Sequence, residues 1–284
     1  MTGAAYDTAA AAGTAVYLYA VSRDLDPAAV PAAPGVGRAP VRAVTAGGLT
    51  ALVSTVREAD YGEEALRANL EDLAFLEATA RAHHDVVDQV ARAAPTAPVR
   101  IATLYRDDDR VARLLTERHD AFARALDRIT GRSEWGVKAY AYPEAMAAAP
   151  TGADPAGPAG RDAGSPAGGS GAGAAYLRNR QAQRRRREEA GRRVTAQAQA
   201  IHAELAELAV AARQHPPQDP KLSGHDGTQI LNVAYLLDDD RVEGFLAAVK
   251  DLDGRLPGIG AEVTGPWPPY SFIDTGDAAA GERR

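Results

Sequence analysis

The sequence predicts an α+β protein of two domains with long amphipathic helices. Three observations carry that prediction. Apolar stretches of strand period alternate with stretches of helical period along the chain. A stretch from Pro150 to Ala174, almost wholly Ala, Gly, Pro, Ser and Asp, separates two such sets. A length of 284 residues is enough for one large domain or two modest ones. The expected division is an N-terminal domain over 1–145, a linker over 146–175, a C-terminal domain over 176–274 and a flexible tail over 275–284. The linker composition buries too little apolar surface to offset its ordering entropy, so it is expected to be disordered.

In the first set, Thr14–Val21 (TAVYLYAV) is β-branched and aromatic and reads as a buried strand. Val41–Val56 reads as two strands joined at Gly47-Gly48, a hairpin signal. Asp60 and Glu63 form a capping-box pattern. Beyond it Leu66, Leu70, Leu73, Leu76, Ala80, Val87 and Val90 recur at helical spacing and predict one long amphipathic helix. Pro95 and Pro98 end it, and Val99–Arg106 (VRIATLYR) returns as a strand. Asp107–Asp109 place negative charge where a new helix begins. Its buried stripe is Val111, Leu115, Phe122, Leu126 and Ile129, and Gly131 ends it. Trp135–Tyr142 (WGVKAYAY) alternates as a strand.

The second set opens with a helix from Tyr176 to Gln214, with Val194, Ala198, Ile201, Leu205, Leu208 and Ala212 at alternating steps of four and three. Pro216-Pro217 breaks it. Ile230–Asp238 (ILNVAYLLD) is a strand, and Asp240 opens a short helix carrying Val242, Phe245, Leu246, Val249 and Leu252. The last strand, AEVTG, runs straight into GPWPPYSF, Gly265–Phe272. These orders predict sheets with helices on one face. If Trp135–Tyr142 joins the second set, its order resembles a ferredoxin-like arrangement.

Composition excludes several classes of function. Lys and Arg number 32 against 38 Asp and Glu, a net charge of −6, so nothing draws the whole chain to nucleic acid or acidic membranes. Without cysteine there is no disulfide, thiol catalysis or thiolate metal site, which fits a reducing cytoplasm. The apolar amino terminus lacks a basic n-region and is interrupted by Asp7, so it is not read as a secretory signal. No run approaches the roughly 18 apolar residues of a membrane-spanning helix.

Enzyme motifs are mostly absent. Gly168–Ala175 (GGSGAGAA) has no Lys-Ser/Thr and lacks the strand–helix context of a phosphate loop, so linker is the better reading. His83-His84 invites a metal site with Asp88, but adjacent helix residues point about 100° apart and only one can share that face. His119, His202, His215 and His225 show no ligand spacing. His83 and His84 are therefore expected to straddle the edge of a packed face. No cofactor and no metal are expected.

Two features point to partners. Tyr176–Arg193 carries eight arginines against two glutamates. Nucleic acid is disfavoured, because Tyr176 is the sole aromatic there and nothing interleaves to stack bases. Arg184, Arg185, Arg186 and Arg187 read instead as a solvated or protein-partner face. GPWPPYSF contains a PxxP spacing, Pro266 to Pro269, that suits an SH3-like groove. Yet it continues an apolar strand within a folded unit, and consecutive prolines fix where Trp267, Tyr270 and Phe272 point. Aromatic anchors at the strand's end are the favoured reading.

The segments VYLYAV, ANLEDLAFLEATARAHHDVV, APVRIATLYRDDDRV, EWGVKAY, GAAYLRNR, LNVAYLLDDDRVEGFLAAV and TGPWPPYSF follow one another in an order that resembles the gas vesicle protein F/L family (GvpL/GvpF). The resemblance runs from Val16 to Phe272, and the Pro150–Ala174 stretch looks like an expanded insertion. It implies a non-enzymatic accessory or minor structural protein of gas vesicle assembly, with one domain a ferredoxin-like variant. It further implies binding to the hydrophobic shell protein, gas vesicle protein A, limiting its aggregation during nucleation. Other gas vesicle accessory proteins are implied partners, with the vesicle and cytoplasm as the location and no membrane. Trp267, Tyr270 and Phe272 then belong to the contact surface or to the domain junction supporting it. The alternative is a regulatory ferredoxin-like module that binds RNA or a small ligand.

Overall fold

The structure, a computed structural model, describes residues 13–62, 65, 67, 69, 72–146, 171–217 and 225–273. The predicted hairpin forms: β2 (Arg42–Ala46) and β3 (Leu49–Arg57) pair antiparallel across Gly47-Gly48. Both glycines have positive φ, 59° and 78°, as a two-residue turn of this hand requires. β1 (Thr14–Arg23) pairs antiparallel with β3 and, on its other side, with β4 (Thr96–Pro98) and β5 (Leu104–Tyr105).

β1 is buried on both faces. A register shift between Leu18 and Ala20 leaves Tyr19 as an extra residue, a bulge that changes the phase of the alternation. Val16, Leu18 and Val21 pack in one core with Leu115, Phe122 and Leu126. Tyr17, Tyr19 and Ala20 pack in another with Val86, Val87 and Val90. Because strand side chains alternate, helices cover both faces of this sheet. The expectation of helices on one face is corrected here, and the near-continuous apolar run TAVYLYAV is its physical reason.

The helices also differ in detail. After the single turn α1 (Glu58–Tyr61), the long helix α2 spans Leu73–Ala91. Its cap is Asp72, whose carboxylate accepts from the N–H of Ala74 at 3.0 Å and of Phe75 at 3.1 Å. Asp60 is therefore not the start of the long helix, and Leu73, at its first turn, is 79% exposed. The buried stripe is Thr79, His83, Val86, Val87 and Val90. Leu66 and Leu70 fall outside the described residues. Val99–Arg106 is a strand only at Leu104–Tyr105. Val99 N–H donates to the Tyr19 carbonyl and Thr103 accepts from Leu18 N–H, so Arg100–Ala102 loop out between the two bonds. The expected second helix is two, α3 (Asp108–Glu117) and α4 (His119–Ile129), broken where Arg118 adopts φ −109° and ψ 16°. Its apolar stripe keeps phase across the break.

The second sheet holds β6 (Arg132–Ala141), β7 (Ala211–Gln214), β8 (Thr228–Asp238) and β9 (Ile259–Trp267) in the order β7-β8-β6-β9. Between them run α5 (Pro143–Met146), α6 (Gly171–Glu207) and α7 (Val242–Arg255). α6 ends at Glu207, so the predicted helix to Gln214 is corrected: Ala211–Gln214 is a strand, beside β8. At its other end α6 takes in Gly171–Ala175, the last residues of the expected linker, where alanines favour helix. The rest of that linker, 147–170, and the expected tail lie outside the described residues.

Contacts group the chain into two units. One holds residues up to Trp135, then Leu236–Asp239 and those from Gly265 onward; the other holds Gly136–Tyr235 and Asp240–Thr264. The units are thus interleaved along the sequence and not divided in order at 145 and 176, because β6, β8 and β9 each give residues to both.

Candidate functional site

GPWPPYSF belongs to the first unit. It begins at Gly265, whose φ is 143° and whose added Cβ would lie 2.9 Å from the Glu134 carbonyl oxygen and from the Trp135 ring. Side chains avoid that conformation and that space, so the position requires glycine. Pro268 and Pro269, which offer no backbone donors, lead into a 3-10 turn at Tyr270–Phe272.

This turn is fastened to β6. The Ser271 backbone N–H and hydroxyl both donate to the buried carboxylate of Glu134. Phe272 is buried, Tyr270 packs on the core around Tyr17, and Ile273 packs on the opposite core around Phe122. Trp267 behaves differently. It is 41% exposed, with its ring edge-on to His84 at a centroid distance of 5.3 Å. The three predicted aromatics therefore share one segment but differ in burial: Tyr270 and Phe272 pack against the interior, and Trp267 is partly exposed. Sequence reasoning missed Glu134, Ser271 and Ile273. Glu134 and Trp135 are both buried although adjacent on a strand, which no alternating pattern signals.

His83 lies inside the fold, 1% exposed, and His84 is half-buried. His83 Nδ1 shares a 2.9 Å hydrogen bond with the Tyr17 hydroxyl, which also accepts from Ala102 N–H at 3.0 Å. The rings of Tyr17, Tyr19 and Tyr270 stand 5.7, 5.6 and 6.2 Å from the imidazole. Burial pushes the His83 pKa down to about 4 against a smaller opposing pull from the Val99 backbone, and His84 adds to the depression. Burial likewise pushes the Tyr17 and Tyr270 hydroxyls well above their ordinary range. His83 is thus neutral at pH 7 and committed to packing. Among the described residues no group of three or more His, Cys, Asp or Glu could hold a metal ion.

Arg184–Arg187 lie in the second unit, on α6. From Tyr176 to Glu189 this helix is exposed on every side, whereas Ala190, Val194, Ala198, Ile201 and Leu205 are buried. The packed half follows the apolar spacing, and the arginine half projects beyond it. Arg184 Nε donates to Glu188 Oε1 at 2.8 Å. Elsewhere in this unit His225 stacks on Tyr140, ring centroids 4.0 Å apart, and meets the Glu262 carboxylate at 3.4 Å.

The family model of the gas vesicle synthesis protein GvpL/GvpF matches residues 15–274. The chain belongs to the GvpL/GvpF family. Gas vesicle protein L of Streptomyces sp. (strain CB03234) is 43% identical to it over 257 residues, covering 90% of this chain and 91% of that protein. Gas vesicle protein F of the same strain is 28% identical over 260 residues, covering 91% and 99%. The crystal structure of GvpF from Anabaena sp. PCC7120 superposes with a TM-score of 0.63 at 19% identity, covering 92% of this chain and 96% of that one. That of GvpF from Microcystis aeruginosa does so with a TM-score of 0.61 at 16% identity, covering 91% and 98%. Within the GvpL/GvpF family, then, this chain shares a mixed fold of helix and sheet. Among its described residues no helix is long and apolar enough to cross a membrane.

Proposed function

We propose that this GvpL/GvpF-family chain is a non-enzymatic accessory protein of gas vesicle assembly. It binds the hydrophobic shell protein, gas vesicle protein A, and limits its aggregation during nucleation. The observation that carries this reading is the family match across residues 15–274. A shell subunit with one apolar face toward gas must be kept from aggregating until it assembles, and a partner covering that face does so. Trp267 is the contact residue, and Tyr270 and Phe272 hold it in place from the core. The second unit is a ferredoxin-like variant: the succession β6-α6-β7-β8-α7-β9 with the sheet order β7-β8-β6-β9 supports this. The chain acts at the vesicle in the cytoplasm, beside other accessory proteins and without a cofactor.

Co-expression of the tagged chain with gas vesicle proteins, followed by affinity capture, tests the reading. The shell protein is expected in the eluate with the native chain and is expected to be lost with Trp267→Ala, which still folds. Capture of the shell protein by the folded variant removes Trp267 from the contact. An eluate of the native chain that holds other vesicle proteins but no shell protein overturns the reading as a whole.

A further inference from the structure

We infer that the exposed half of α6 is a docking arm for a flexible, glutamate- and aspartate-rich polypeptide segment. The fourteen residues from Tyr176 to Glu189 touch water on all sides. An isolated helix of that length is marginal in water. Its own charges weaken it further, since Arg180 and Arg184 stand four residues apart and Arg184 and Arg187 three apart. The ion pair between Arg184 and Glu188 offsets little of this, with side chains 82% and 48% exposed. A helix so built is completed by negative charge from outside.

The sign of the rest of the chain narrows what can supply it. Tyr176–Arg193 holds eight arginines and two glutamates, a surplus of six positive charges on a chain of net charge −6, so the remainder carries −12. A long polyanion such as RNA is repelled by that remainder and finds only Tyr176 on which to stack a base. A short acidic segment meets the arm alone. The arginines also lie on more than one side of the helix. At about 100° per residue, Arg178, Arg185 and Arg192 fall on one side and Arg180, Arg184 and Arg187 on the other. A flat rigid patch neutralises one side, whereas an extended chain can wrap both. The inference goes beyond the shell-protein reading, and the failure of either leaves the other standing.

Fluorescence anisotropy on the full chain tests it with two labelled probes of equal charge, a Glu-rich Gly/Ser peptide and single-stranded oligouridylate. The comparison chain carries Arg184→Gln, Arg185→Gln, Arg186→Gln and Arg187→Gln together; glutamine keeps helix propensity and all four positions are exposed. At low salt the peptide is expected to bind one to one. Binding is expected to weaken about tenfold or more in the variant and on raising the salt, with thermal melting unchanged. Absence of peptide binding, equal binding by the variant, or tighter binding of oligouridylate overturns the inference. Self-association that the substitutions abolish, without peptide binding, overturns it in favour of a second copy of the chain.

Discussion

Ser271 grips Glu134 twice, through its backbone N–H and its hydroxyl, each at 2.7 Å and across 137 residues of sequence. Hydrogen bonds to a buried carboxylate contribute more than neutral ones, and an orphaned buried donor adds its own desolvation cost. Glu134→Ala is therefore expected to cost about 2 kcal/mol or more, and Ser271→Ala about 1 kcal/mol. Urea unfolding measures both. Native midpoints in both variants would mean that the turn is held by its apolar side chains alone.

Acid should loosen the first unit through His83. Its pKa is about 4 in the fold against 6.5 ordinarily. The unfolded chain therefore binds more protons between those values, and stability falls as pH drops from 6.5 to 4. This component is complete at about 3 kcal/mol once pH lies below both values. The difference in unfolding free energy between the native chain and His83→Gln, followed across that window, isolates it from the carboxylates. A constant difference refutes it.

Gly265→Ala is expected to destabilise by roughly 2 kcal/mol, through a disfavoured φ and a collision with the Glu134 backbone and Trp135 ring. Thermal melting reads the loss. A variant that melts like the native chain would show that the turn can relax.

Trp267 and Phe272 should separate cleanly. Phe272→Ala removes a buried ring and is expected to cost about 3–5 kcal/mol. Trp267→Ala, at a position 41% exposed, is expected to cost about 1 kcal/mol or less while abolishing capture of the shell protein. Equal destabilisation by the two would assign Trp267 to the core.

Local patterns were the legible part of this fold. The strands around Tyr17, Val137 and Tyr235, the Gly47-Gly48 hairpin and the packed half of α6 all follow short-range periodicity that survives folding. What escaped depends on distant partners. Nothing within VRIATLYR announces that Ala102 adopts a φ of 63° and gives its N–H to Tyr17. Arg118 breaks a helix whose apolar stripe runs on unchanged. At the candidate site the aromatic octet and the arginine run were visible as composition. Glu134 was not, because its acceptor role exists only once Ser271 arrives from the far end of the chain.

The bulge at Tyr19 and the strap at Ser271 share one temporal consequence. Tyr270 and Ile273 complete opposite faces of a sheet whose first strand starts at Thr14. During synthesis at roughly 5–20 residues per second, that sheet waits for its final pieces until Tyr270 and Ile273 have been made. Until then the part of the aromatic core that Tyr270 covers stays open to water. Translation of Tyr270 and Ile273 itself sets when that sheet can close.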